Sequence, residues 1–167
     1  KGANFTGGDY LRNANNKFTW SEPKSLPEKG GPEQLGWEIH SFSRLWTGAH
    51  YDLLNNMVKE RIQAGDRPDV ALRQSNQELL TMLARMLKES PRGDFTFKDM
   101  AIAFVKSDKI HGEGKRAALI QRVFTERKIL PADLPAEQLG IPPQRSGAAL
   151  FQSTEGPLVR QLGVTLG

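Results

Sequence analysis

Residues 38–57 read EIHSFSRLWTGAHYDLLNNM, and within them Ile39, Phe42, Trp46, Ala49, Leu53 and Met57 follow one another at spacings of three and four. On a helix that spacing stacks side chains along one face, so the stretch predicts an amphipathic helix beginning near Glu38. Gly65 is its expected stop. A second helix is predicted from Asp66 to Asp69 onward, with Pro68 in its first turn and Leu72, Leu79, Leu83 and Met86 on its apolar side. Pro91 and Gly93 close it. Thr96 to Asp99 (TFKD) resembles a capping box opening a third helix, whose inner face holds Ala101, Phe104 and Val105. His111-Gly112-Glu113-Gly114 interrupts that pattern, and a fourth helix from about Lys115 to Lys128 presents Leu119, Val123 and Phe124, with Ile120 on its flank. The expected fold is all-α, a bundle of about four to five helices with its core at Phe42, Trp46, Leu53, Leu83, Phe104 and Phe124.

The flanks have a different composition. Residues 1–36 are rich in Gly, Pro, Asn and Ser, with turn signals at Gly7-Gly8, Asn15-Asn16, Glu22-Pro23 and Gly30-Gly31-Pro32. Their apolar residues, among them Phe18, Trp20 and Leu26, are too sparse for a core of their own and serve better as anchors on a neighbour. Beyond Leu130, Pro131, Pro135, Pro142 and Pro143 mark a linker or strapped-down tail, with a short strand expected at Leu158-Val159 and Val164. This divides the chain into an irregular segment 1–36, a helical domain 37–130 and a Pro-rich tail 131–167.

Composition narrows the function. The 167 residues are 38% hydrophobic and 25% charged, which suits a packed domain. The net charge of +4 comes from Lys and Arg interspersed with Asp and Glu, so a nucleic-acid partner is not expected. The absence of Cys excludes disulfides and thiolate chemistry. No apolar run is long enough to span a bilayer, a membrane partner is not expected, and Lys1 to Tyr10 has no signal-peptide pattern. A start on Lys1 rather than Met is what a processed or truncated piece would give.

A metallopeptidase site needs two His one helical turn apart with a Glu between them, and this sequence has no HExxH. His40 and His50, ten residues apart on one predicted helix, are separated by roughly 80° and several turns, and cannot chelate one ion together. His111, in a Gly-flanked turn, reads as a solvated loop residue. Ser41, Ser43 and Ser146 lie in no GxSxG elbow, and there is no phosphate-binding loop. Trp37 and Trp46 read as core or interdomain packing.

A family resemblance rests on an ordered set of segments. DYLRNANN (9–16), GWEIHSFS (36–43) and Ala49-His50-Tyr51-Asp52-Leu53-Leu54 are similar, in order and spacing, to the Ala-Leu-Arg-Ser segment, the His-bearing segment and the following helix of thermolysin-like zinc metallopeptidases. Phe95 to Ala101 and Ala117 to Phe124 are similar to the last two helices of that family. The resemblance covers about Tyr10 to Leu130. It implies the C-terminal, helical part of a zinc-dependent endopeptidase, with zinc held by an N-terminal half that carries HExxH and none held by this chain alone. The implied partners are that zinc-binding half and a peptide or protein substrate, and the implied location is secreted or cell-envelope. Carried over by position, Leu11 would line the pocket for the side chain after the scissile bond, Arg12 would bond a substrate carbonyl, and His40 would stabilise the tetrahedral oxyanion. The family places an Asp five residues before its His. Leu35 stands there in this chain, which leaves Glu33 and Glu38 as the nearby carboxylates. This chain alone is expected to be inactive. The rival from another class is a non-catalytic helical protein-binding module on a degenerate peptidase scaffold. A third reading, a basic helical nucleic-acid binder, requires Lys59, Arg61, Arg67, Arg73, Lys115 and Arg116 to converge on one face.

Overall fold

The computed structural model describes residues 13–90 and 92–140. Among them there is no strand, and the helices run in order as α1 Ile39–Phe42, α2 Arg44–Gln63, α3 Pro68–Glu89, α4 Phe97–His111 and α5 Ala117–Glu126. Single 3-10 turns occur at Pro23–Ser25 and Ala136–Leu139. The chain is therefore an all-α bundle. Gly65, at φ +103, closes α2 in the left-handed region, and Pro68 opens α3 where a missing N–H leaves no bond unmade. Thr96 opens α4 with a complete capping box: its hydroxyl accepts from the Asp99 N–H, and the Asp99 carboxylate accepts from the Thr96 N–H at 2.8 Å. That bond from the Thr96 backbone and another from its hydroxyl hold the Asp99 carboxyl below its usual range.

Each long helix packs on two others, α2 on α3 and α5, and α4 on α3 and α5. Leu45, Leu53, Met57, Met86, Phe104, Ile120 and Phe124 are fully buried between them. The periodicity is right for Ala49, Leu53, Met57, Leu79, Met86, Ala101, Phe104, Val105, Leu119, Val123 and Phe124. It fails at Leu72, which is 52% exposed while Ala71 and Ser75 face inward, and at Ile120, which is buried rather than on a flank. Phe42, Trp46 and Leu83 pack against the core while remaining partly exposed. Ile39 is 75% exposed. It is the first residue of α1, and α1 and α2 are separate elements meeting at Ser43, where the His40 carbonyl accepts from the Ser43 hydroxyl at 2.9 Å and the Ser41 carbonyl from Arg44 Nε at 3.2 Å.

His50 is the one histidine drawn into this packing. Its ring stacks on Phe104 with centroids 5.7 Å apart, Nδ1 bonds the Trp46 carbonyl at 3.2 Å, and Nε2 is buried without a partner among the described residues. Burial lowers its pKa from 6.5, although the bond to Trp46 opposes that change. Below about pH 6.5 the unfolded chain takes up a proton at His50 that the folded chain refuses, so stability should fall as pH drops through that value. The slope is at most about 1.4 kcal/mol per pH unit. Urea unfolding at pH 7.5 and 5.5 should show His50→Leu losing less stability on acidification than the parent; equal losses would show that His50 is not held neutral.

The irregular segment is fastened to the helices by one guanidinium. Arg127, 4% exposed at the end of α5, donates to Asp52 Oδ2 from Nε at 2.8 Å and from Nη2. Its Nη1 donates to Asn16 Oδ1 and the Phe18 carbonyl, each at 2.9 Å, and Nη2 also donates to the Asn16 carbonyl at 2.7 Å. Gly48 leaves room for this, since a Cβ there would sit 2.5 Å from Asn16 Oδ1 and 2.6 Å from Arg127 Nη1. The tail is fastened too, with Leu134 against the core, Leu139 fully buried and its carbonyl accepting from Lys109 Nζ at 2.8 Å. The strand expected at Leu158-Val159 and Val164 lies outside the described residues.

Candidate functional site

His40 lies exposed on α1, and the loop before it is built around Arg44. Backbone bonds from Trp37 N–H to the Pro27 carbonyl (2.9 Å) and from Glu38 N–H to the Glu28 carbonyl (3.0 Å) close the loop. Inside it, Arg44 Nη1 donates to the carbonyls of Gly31 and Pro32, each at 3.0 Å, and Nη2 to the Gln34 carbonyl and to Ser41 Oγ at 2.8 Å. The same guanidinium sits 4.7 Å above the Phe18 ring. Gly36 has no room for a side chain, because a Cβ would lie 2.5 Å from the Gly30 nitrogen. The backbone that carries His40 is thus held by partly buried hydrogen bonds although the imidazole faces solvent.

Leu35, in the place of the family's Asp, is buried. The Glu38 carboxylate caps α1, accepting from the Ser41 N–H at 3.0 Å. The His40 N–H, more than any other influence, holds the Glu38 carboxyl below its usual range, with smaller contributions from the Ser41 N–H and the Lys29 charge outweighing desolvation. Glu38 therefore serves the helix end. Leu11 and Arg12 lie outside the described residues.

Beside α1 runs a groove of about 880 Å³ whose lining includes Trp20, Trp37, Ile39, Phe42, Phe95 and Phe97. Phe42 and Phe97 stack 5.6 Å apart at an interplanar angle of 10° and form its floor. Trp37, expected in a core or between domains, is 50% exposed here. Sequence periodicity overlooks the groove because its walls come from separate segments, around 20, 37, 95 and 128. The signal available was a cluster of apolar residues at helix entries, Trp37-Ile39 and Phe95-Phe97, out of phase with the helices they precede.

A second, polar cleft of about 540 Å³ lies over α3 and the α4–α5 connection. Glu78 is held between Arg61 Nη2 and Arg116 Nε, both at 2.7 Å, and Arg116 also pairs with Glu60. Partial burial would raise the Glu78 pKa, but the two guanidinium groups outweigh it and the net direction is down. His111 is the last residue of α4 rather than a loop residue, and its Nε2 lies 3.1 Å from Glu89 Oε1. Of the six cations required for a basic face, Arg61, Arg67, Lys115 and Arg116 are already in ion pairs with Asp or Glu. This weighs against a phosphate-binding surface.

Among the described residues no group of three His, Cys, Asp or Glu side chains is placed to hold a metal ion. No helix among them is long and apolar enough to cross a membrane. Compared with known proteins, the chain matches no protein-family model, no curated sequence and no solved structure.

Proposed function

We propose that this chain forms the helical half of a zinc-dependent endopeptidase, supplying a wall of the substrate cleft and an oxyanion donor, while a zinc-binding half carries HExxH. The observation that carries this reading is the presentation of His40, an exposed imidazole on a backbone fixed by Arg44, beside an open aromatic groove. As water adds to a peptide carbonyl, negative charge collects on its oxygen. An imidazole N–H held at the right height bonds that oxygen best in the transition state. Leu11 and Arg12 keep the roles that the thermolysin-like resemblance gives them, the first lining the pocket after the scissile bond and the second bonding a substrate carbonyl.

The test is made in the full-length or reconstituted enzyme. His40→Ala should lower kcat by roughly 10²–10³, about 2.7–4 kcal/mol, with a smaller change in KM. Arg12→Ala should raise KM as well, because its bond is to a carbonyl present before reaction. Full kcat in a folded His40 variant, or a complete protein with neither HExxH nor peptidase activity, hands the assignment to the binding-module reading. That rival is favoured by the commitment of Glu38 to the end of α1 and by Leu35 in the place of the orienting acid, which together leave neither available to orient the imidazole.

A further inference from the structure

We propose that the groove between Trp20, Trp37 and Phe95 is a docking site for a peptide segment bearing large apolar side chains flanked by carboxylates. This rests on the reading above in taking the side beside α1 as the peptide-facing one, and it adds the class of peptide. Among the described residues, the large aromatic side chains that remain exposed are Trp20 at 39%, Trp37 at 50% and Phe95 at 45%, and all three line this one groove. Exposed aromatic surface gathered in one place is costly to leave in water and is the usual mark of a binding surface. Its size, about 880 Å³, suits two or three side chains of an extended segment.

The charges around the groove select the flanks of that segment. Lys98 and Lys128 line it, and Lys24 lines an adjoining recess shared with Pro23 and Trp37. Glu22 is the carboxylate in that lining. None of the three lysines is in an ion pair among the described residues, whereas Arg61 and Arg116 of the polar cleft are already paired with Glu78 and Glu60. An apolar floor rimmed by three ammonium groups outside any ion pair, one of them Lys98 beside Asp99, and by one carboxylate favours apolar residues with acidic neighbours and disfavours those with basic ones.

The experiment uses the full chain and three capped heptapeptides in which phenylalanine and leucine alternate with aspartate, serine or lysine. Tryptophan fluorescence and calorimetry measure their affinities. At low salt the aspartate peptide should bind about tenfold tighter than the serine peptide, as expected of two or three rim ion pairs, and the lysine peptide should bind weakest. The preference should fade near 1 M salt, where the screening length is about 3 Å. Lys98→Glu with Lys128→Glu, both on exposed side chains, should reverse the order, and Trp37→Ala should weaken all three peptides. Equal affinities at low salt overturn the inference. So do the absence of any binding and a concentration-dependent dimer that excludes peptide, which would give the groove to a second copy. In the reconstituted enzyme, acidic preference without cleavage sinks the peptidase reading alone; cleavage without the preference sinks only this inference.

Discussion

Arg127→Ala should cost about 3–5 kcal/mol of folding stability, as expected when a buried, hydrogen-bonded charge loses its partner. All five guanidinium N–H groups are used, on Asp52, Asn16 and the Phe18 carbonyl. Removing them takes the guanidinium bond from the backbone carbonyl of the buried Asn16, leaves its side-chain oxygen with the Phe18 N–H alone at 3.2 Å, and leaves Asp52 facing them. Arg127→Lys should recover little, since an ammonium cannot reproduce a planar five-donor fork. Urea denaturation measures the loss. Hydrogen exchange should also show the Trp20 N–H, which bonds the Arg127 carbonyl at 2.8 Å, losing protection ahead of the helices. A loss under about 1 kcal/mol would mean that water replaces the guanidinium at this site.

Phe104→Ala should cost a similar amount, about 3–5 kcal/mol. Phe104 is fully buried on α4, with its ring against His50 of α2 at 5.7 Å and Phe124 of α5 at 6.1 Å. Three helices meet there, so the void cannot close by moving one side chain. Trp46→Ala provides the comparison: Trp46 contacts Phe97 and Phe124 but lies at the partly exposed rim of the core, so its loss should be smaller. Chemical denaturation of both variants checks the order. Equal costs would mean that the rim is packed as tightly as the centre.

The helices were legible because their information is local. Thr96 and Asp99 sit three residues apart and cap α4, Gly65 and Pro68 mark a turn, and a three-four spacing names most of the buried side chains. Leu72 and Ile39 misled because spacing gives a period and not a phase: Ala71 and Ser75 took the inner face of α3, and Ile39 lies on the separate short helix α1 rather than on α2. The position of His40 at a helix entry followed from the sequence, but its exposure and its support did not. Arg44 reaches back ten to thirteen residues to loop carbonyls, and Arg127 reaches Asn16 across 111 positions. Composition cannot reveal such bonds, because each arginine alone reads as surface charge. The groove was hidden for the same reason, its walls being far apart in the chain.

Leu139 bears on where this protein can be cut. The change in composition after Leu130 suggests trimming the tail there, yet the buried leucine side chain nine residues further on fills space against α4, and its carbonyl receives the Lys109 ammonium. A protease nick or an expression boundary at Pro131 would open an apolar hollow beneath a cation that burial already discourages from carrying its charge. The smallest piece to express therefore reaches Gly140 at one end and includes Asn16 at the other, and limited digestion should be slow through Leu139.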